Sequence, residues 1–131
     1  MAEILVTGGA GYIGSAVSQT LLERGHRVVV IDSLVEGHRQ AVPIEAAFYQ
    51  GELGDQALLE KIMDSHRIEG VVHMAAFCLV GESVTDPEKY FQNNVAQGIS
   101  LLQAMRARGV RKIIFSLVYF ISDQLIANKK L

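Results

Sequence analysis

Apolar residues in this chain fall into short runs separated by amphipathic stretches, and that alternation predicts its architecture. Ile4-Leu5-Val6 is a continuous apolar run and reads as a buried strand. Ile13, Val17, Leu21 and Leu22 recur at helical spacing, which predicts a helix from about Tyr12 to Arg24 that stops at Gly25. Val28-Val29-Val30-Ile31, ending in Asp32, is a second strand. It has no polar alternation, as expected where helices cover both faces of a parallel sheet. Ser33 to Pro43 is polar and irregular, a loop or short helix, and Ala46 to Gln50 is a third strand, weak by pattern. Asp55 is placed to cap a helix from Gln56 to about Ser65 that carries Leu58, Leu59, Ile62 and Met63. Gly70 to Ala76 is the fourth strand and its exit, followed by a loop over Phe77–Asp86. Pro87 suits a first helical position with Asp86 as cap. The helix then runs to about Arg108, and its stripe of Phe91, Val95, Ile99, Leu102 and Met105 reads mostly as core. Gly109 ends it, and Ile113-Ile114-Phe115 is a fifth strand. The order β-α-β-loop-β-α-β-α-β predicts an α/β fold: an open, doubly wound parallel sheet. Right-handed crossovers give it the strand order 3-2-1-4-5.

Between the first strand and the first helix lies Val6-Thr7-Gly8-Gly9-Ala10-Gly11-Tyr12-Ile13-Gly14. Strand, Gly-x-Gly-x-x-Gly turn and helix together are the Rossmann-type dinucleotide fingerprint. In that fingerprint Gly9 allows the tight turn, Gly11 lets the backbone approach a pyrophosphate, and Gly14 lets the helix pack closely on the strand. The helix start adds free N–H groups and a positive dipole end. Asp32 follows at close to the ~20-residue spacing expected of the acid that binds the adenosine ribose. Its carboxylate would accept from ribose hydroxyls and repel a 2′-phosphate, which favours NAD over NADP. The plainer alternative is a cap or turn aspartate at a strand end. Small residues at Ala75 and Ala76 would let a ligand approach the C-terminal edge of the sheet.

Composition narrows the partners. The 131 residues are 50% apolar and 20% charged, with a net charge of −2, so nothing points to nucleic acid or to an anionic membrane. The longest apolar run, Ile113 to Ile121, is broken by Ser116 and is too short to span a bilayer. The N-terminus lacks the basic region of a signal peptide and enters a strand at once. The single cysteine, Cys78, permits no internal disulfide and fits a reducing cytoplasm.

Several motifs together resemble one family. Thr7-Gly8-x-x-Gly11-x-x-Gly14 is similar to the glycine signature of extended short-chain dehydrogenases/reductases. Asp32-Ser33-Leu34 with Gly37-His38-Arg39 resembles the ribose loop of UDP-glucose 4-epimerases. Val72-His73-Met74-Ala75-Ala76 and Val80-Gly81-Glu82-Ser83-Val84 resemble their nicotinamide-side loop, and Tyr90-Phe91-Gln92-Asn93-Asn94-Val95 and Phe115-Ser116 complete the series. The resemblance covers residues 2–116. It implies an NAD site in which Gly8, Gly11, Tyr12 and Ile13 line the pyrophosphate and Asp32, Ser33 and Leu34 hold the adenosine ribose. Glu52 and Leu53 would sit beside adenine, although the family usually has aspartate where this chain has Glu52. Met74, Ala75 and Ala76 would pack along the nicotinamide half, with Asn93 and Ser116 as further contacts. Many epimerases have lysine in place of Cys78. The implied reaction is reversible epimerisation at C4 of a UDP-hexose, with NAD(H) taking and returning the hydride. Family members also pair through the helix spanning 88–108 here, which implies a homodimer.

The pattern stops after strand five. The family has a helper serine or threonine at the position of Val118, then a Tyr-x-x-x-Lys pair. Tyr12, Tyr49, Tyr90 and Tyr119 are followed four places later by Ala16, Leu53, Asn94 and Asp123. Residues 1–116 therefore read as an NAD-binding domain and 117–131 as a divergent tail, with the sugar-nucleotide domain missing. A frameshift or comparable truncation is the favoured explanation for so abrupt an end, over a real, divergent ending. A helix over Ser122–Lys130 is expected to cover the exposed sheet face, or a second chain would. The expected function is the cofactor domain of an epimerase-like protein that binds NAD(H) without epimerising. The alternatives are a non-catalytic dinucleotide module and the cofactor half of a nucleotide-sugar 4,6-dehydratase.

Other candidates have plainer readings. Arg39 reads as a solvated loop base, Cys78 as a small loop or core residue, and Asp55 as a cap. His26, His38, His66 and His73 share no metal-ligand spacing, and His73 reads as a hydrogen-bonded scaffold residue.

Overall fold

A computed structural model describes residues 1–75 and 86–115, with the backbone alone for Tyr90, Phe91 and Asn93. Ala76, the segment through residue 85 expected to be a loop, Cys78 within it, Ser116 and the 117–131 stretch with its expected helix lie outside the described residues.

Five parallel strands form one sheet: β1 (Glu3–Thr7), β2 (Arg27–Asp32), β3 (Ala47–Gln50), β4 (Gly70–His73) and β5 (Ile113–Phe115). Their order is β3-β2-β1-β4-β5, the Rossmann-like arrangement expected. Among the described residues the helices are α1 (Tyr12–Glu23), α2 (Gln56–Ser65), α3 (Pro87–Phe91) and α4 (Gln97–Ala107), with a short 3-10 turn at Arg39–Ala41.

The uninterrupted apolar strands divide their side chains between the two sheet faces, because successive residues point to opposite sides. Val28 and Val30 join Val6, Ala10 and Val42 on one face, where Leu21 and Leu22 of α1 pack. Val29 and Ile31 join Leu5, Leu59, Ile62 and Leu101 on the other, beneath α2 and α4. Each fully buried side chain of this kind stabilises the fold by roughly 1.5–3 kcal/mol. Both predicted caps are present. The Asp55 side chain accepts from the Leu58 N–H at 3.1 Å, and that of Asp86 accepts from the Lys89 N–H at 3.2 Å ahead of Pro87.

Two helices differ from expectation. The most buried residues of α1 are Gly14 and Ser18, with Ile13, Val17, Leu21 and Leu22 only partly covered. Small residues bring the helix backbone close to the sheet, so the larger side chains flank the contact. The stretch from Pro87 is not one α-helix, because a π-helical segment, Gln92–Ala96, separates α3 from α4. Its wider turn resets the rotation of α4 about the helix axis. The sheet-facing residues of α4 are Gly98, Leu101, Ala104 and Met105. Met105 is core as predicted, whereas Val95, Ile99 and Leu102 lie on a neighbouring stripe and are 43%, 50% and 42% exposed.

A buried polar group ties strands together at the N-terminal end of the sheet. The Glu3 carboxylate meets Arg27 Nε at 3.1 Å and His66 Nδ1 at 2.9 Å. The other ring nitrogen of His66 lies 2.9 Å from the Tyr49 hydroxyl of β3. The functional candidates lie at the opposite, C-terminal end.

Candidate functional site

The glycine turn leaves the end of β1 at Thr7. Gly8 takes φ +70°, a left-handed conformation that favours glycine, and its N–H donates to the Ile31 carbonyl at 2.9 Å. The tight turn therefore belongs to Gly8, not to Gly9 as the fingerprint suggested. Gly9 is needed for a different reason: a Cβ there would lie 2.6 Å from Val30 Cγ1. At Gly14 a Cβ would fall 2.1 Å from the Gly8 carbonyl oxygen, so the close approach that glycine permits is to the Gly8–Gly9 turn rather than to the strand itself. Gly11 is the open position, where a Cβ would meet only the Gly8 carbonyl oxygen, at 3.4 Å.

Gly11 is also the N-cap of α1, and no side chain caps the helix. No acid lies in its first turn, Tyr12 is 91% exposed and Ile13 is half-buried. The orphan N–H groups and the positive end of the helix dipole are thus left available to an anion. This is the fit expected of a pyrophosphate cradle.

Asp32 holds the next wall. Its Oδ2 accepts from the Ala10 N–H at 2.9 Å and its Oδ1 from the Leu34 N–H at 2.8 Å. The turn-aspartate reading and the ribose reading are compatible, because a carboxylate has about four acceptor sites and two remain. Leu34 is held at φ +64° and packs against the α1-side core. That conformation costs a non-glycine residue roughly 1–2 kcal/mol. Ser33 Oγ accepts from the Val35 N–H at 3.4 Å. His38 N–H donates to the Ala10 carbonyl at 3.0 Å, and a Cβ at Gly37 would come within 2.9 Å of Ala10. The Asp32–Arg39 loop is therefore seated directly on the glycine loop. Arg39 stacks its guanidinium 4.5 Å from the Phe48 ring centroid, so this loop base has a packing partner.

The third wall follows β4. The Thr7 hydroxyl accepts from the Met74 N–H at 3.0 Å and the Ala75 N–H at 3.2 Å, and it lies 2.6 Å from His73 Nδ1. A Cβ at Gly8 would lie 2.8 Å from the Ala75 nitrogen, so the glycine turn and the Met74–Ala75 backbone are in close contact. Burial pushes the His73 imidazole down to about 4, and its ring stands edge-on to Phe115 at 5.2 Å.

Glu52 is exposed and Leu53 is buried, in a turn joined to the end of β2 by the Gly51 N–H bond to the Asp32 carbonyl at 3.1 Å. Asn93 lies in the π segment. The structure thus brings together Gly8, Gly11, Tyr12, Ile13, Asp32, Ser33, Leu34, Glu52, Leu53, Met74 and Ala75 along the C-terminal edge of the sheet. The predictions for Ala76 and Ser116 fall outside the described residues. Sequence reasoning missed Thr7 as a structural hub. The available signal was a hydroxyl directly after the apolar run Ile4-Leu5-Val6. Among the described residues no three of His, Cys, Asp and Glu are grouped to hold a metal, and no helix is long and apolar enough to cross a membrane.

Comparison with known proteins agrees with this fold. The model of the NAD dependent epimerase/dehydratase family matches residues 4–127. The chain is 51% identical to a UDP-glucose 4-epimerase of Streptomyces lividans over 113 residues, which are 86% of this chain and 34% of that protein. It is 44% identical to a UDP-glucose 4-epimerase sequence of Klebsiella pneumoniae, with 87% of each covered. The crystal structure of UDP-glucose 4-epimerase from Brucella ovis in complex with NAD superposes with a TM-score of 0.85 at 35% identity, covering 100% of this chain and 47% of that one. The chain spans about a third of the length of the first curated relatives it matches, at 34% each. With its glycine turn, its sheet order and these matches, the chain belongs to the NAD dependent epimerase/dehydratase family.

Proposed function

We propose that this chain binds NAD(H) in the cradle formed by the glycine turn, the Asp32 loop and the Met74–Ala75 backbone. The observation that carries the reading is Asp32. Its carboxylate is fixed by the Ala10 and Leu34 amides beside an α1 N-terminus that no side chain caps. Gly8, Gly11, Tyr12 and Ile13 serve the pyrophosphate, Asp32, Ser33 and Leu34 the adenosine ribose, and Glu52 and Leu53 the adenine. Met74, Ala75 and Ala76 serve the nicotinamide half, with Asn93 and Ser116 as further cofactor contacts. Bound NAD supplies hydride acceptance and return, while these residues bind and orient it. Residues 1–116 are the cofactor unit in this reading, and 117–131 a separate tail.

The UDP-sugar chemistry of the relatives needs more than this cradle. The 131 residues contain no Tyr-x-x-x-Lys pair to serve as the base. On their own they act as a non-catalytic NAD(H) module, and a UDP-glucose/UDP-galactose 4-epimerase activity, in galactose metabolism, requires the sugar site from elsewhere. The exposed stripe of Val95, Ile99 and Leu102 supports a homodimer through the 88–108 segment. The single cysteine supports a cytoplasmic setting.

The test is a pair of assays on the 131-residue chain. Saturable quenching or enhancement of NADH fluorescence is expected, together with no conversion of UDP-galactose. Absence of NADH binding by the folded chain overturns the cofactor reading, and sustained turnover overturns the non-catalytic one.

A further inference from the structure

The turn carrying Glu52 and Leu53 is held from a distant element. Its ends are fixed locally: the Gly51 N–H donates to the Asp32 carbonyl, and the Asp55 N–H donates to the Glu52 carbonyl at 3.1 Å. Between them the Leu53 carbonyl accepts from the Ser100 hydroxyl of α4 at 2.7 Å. The Gln56 side-chain amide donates to the Ser100 carbonyl at 2.7 Å and also to the Ser100 hydroxyl. One helical turn earlier, Gln97 borders Gly54.

This is an unusual use of a mid-helix serine. Such hydroxyls commonly bond back to a carbonyl one turn earlier. Ser18 and Thr20 of α1 do so, donating to the Gly14 and Ala16 carbonyls at 2.9 Å each. Ser100 instead spends its only proton on Leu53, and its lone pair receives Gln56. The donor, acceptor and direction are all specified, so the turn has one position relative to α4.

We propose that Ser100 is a positioning residue for the adenine end of the cofactor site, holding the Glu52–Asp55 turn from α4 so that Glu52 and Leu53 meet the base. The proposal rests on the NAD(H) reading above and extends it to a residue that does not touch the ligand. Glu52 offers an acceptor suited to the exocyclic amine of adenine. Hypoxanthine carries a carbonyl at that position, so a well-placed Glu52 discriminates between the two bases, and a displaced one does not.

The experiment measures the affinity of the full chain for NADH and for reduced nicotinamide hypoxanthine dinucleotide. The wild-type chain prefers NADH. Ser100→Ala weakens NADH by about 3- to 10-fold, the range that one net hydrogen bond is worth, and moves the affinity ratio toward one. Ser100→Thr, which keeps the hydroxyl, restores the ratio. Gln56→Leu keeps the Ser100–Leu53 bond and shifts the ratio in the same direction by less, so the idea stays testable if Ser100→Ala fails to fold. Affinity for reduced nicotinamide mononucleotide, which lacks adenine, is unchanged in all variants. A ratio unaltered in both variants, with only the melting temperature lowered, shows a structural staple and overturns the proposal alone, as does a wild-type ratio near one. A wild-type chain that binds neither dinucleotide overturns the proposal together with the NAD(H) reading beneath it.

Discussion

The Thr7 hydroxyl lies 2.6 Å from His73 Nδ1, and its other bonds decide which partner donates. Thr7 Oγ1 accepts from the Ala75 N–H and shares the Met74 N–H with the Thr7 carbonyl, which lies 3.0 Å from the same nitrogen, so its acceptor sites are turned toward the backbone. The arrangement predicts that the hydroxyl donates to Nδ1 and that His73 is neutral with hydrogen on Nε2. Nitrogen-15 NMR of labelled histidine should show that tautomer for His73 at pH 7. Thr7→Ser should preserve it, and Thr7→Val should cost about 1–3 kcal/mol by leaving buried polar groups unpaired.

The same burial sets a pH dependence. His73 titrates at about 4 in the folded chain and near 6.5 when unfolded. Between these values the unfolded state binds more protons, so stability rises with pH across the window and falls on acidification. The stability lost through His73 on acidification approaches roughly 3 kcal/mol below pH 4. Urea melts at pH 7 and pH 4.5 should show a smaller acid loss for His73→Asn than for the wild-type chain.

The glycines should separate folding from binding. Gly14→Ala places a methyl 2.1 Å from a backbone carbonyl oxygen, and backbone shifts of that kind cost about 1–3 kcal/mol or more. Gly11→Ala meets only the Gly8 oxygen at 3.4 Å. It should leave the melting temperature close to wild type while reducing NADH affinity at least about tenfold, the equivalent of ~1.4 kcal/mol, because in the proposed cradle the methyl would stand in the path of the pyrophosphate.

Asp32→Asn should weaken both fold and site. One acceptor oxygen then faces two backbone donors, and an amide NH₂ is turned toward one of them. A loss of about 1–3 kcal/mol is expected, with a fall in NADH affinity and a higher NADPH-to-NADH affinity ratio as the carboxylate charge disappears. Denaturant melts and parallel titrations with the two dinucleotides measure both effects.

Much of this molecule is legible in its sequence, and the reasons for the remainder are specific. The strands follow from apolar runs bounded by turn residues, most plainly in β1 and β2, whose central residues are buried on both faces, while the edge strands β3 and β5 are only partly covered; their order follows from right-handed crossovers. The Asp55 and Asp86 caps follow from residue type and place. The long helix departs from its sequence pattern because periodicity shows that an apolar stripe exists, not which part of it meets the sheet. Val95, Ile99 and Leu102 satisfy the spacing as well as Leu101 and Met105 do, and the π segment that resets the rotation has no apolar signature. The exchange of roles between Gly8 and Gly9 depends on φ angles that no spacing fixes. Thr7–His73 and Ser100–Leu53 join residues remote in sequence, and only the fold brings them together.

That exposed stripe predicts association. Sedimentation of the wild-type chain should show a concentration-dependent dimer, and Val95→Glu with Ile99→Glu should shift it to monomer with little change in melting temperature. An unchanged monomer at all concentrations in both proteins rules out the 88–108 segment as a dimer face.

The most direct test of the central claim is calorimetric titration of the 131-residue chain with NADH, run beside NADPH and repeated on Asp32→Ala. The cradle predicts saturable one-site binding of NADH, weaker NADPH, and loss of NADH binding in the variant. Stability should rise by about 2.7 kcal/mol at ~100-fold excess of ligand over its dissociation constant. A folded wild-type chain that takes up no NADH, or one whose affinity is indifferent to Asp32, contradicts the account.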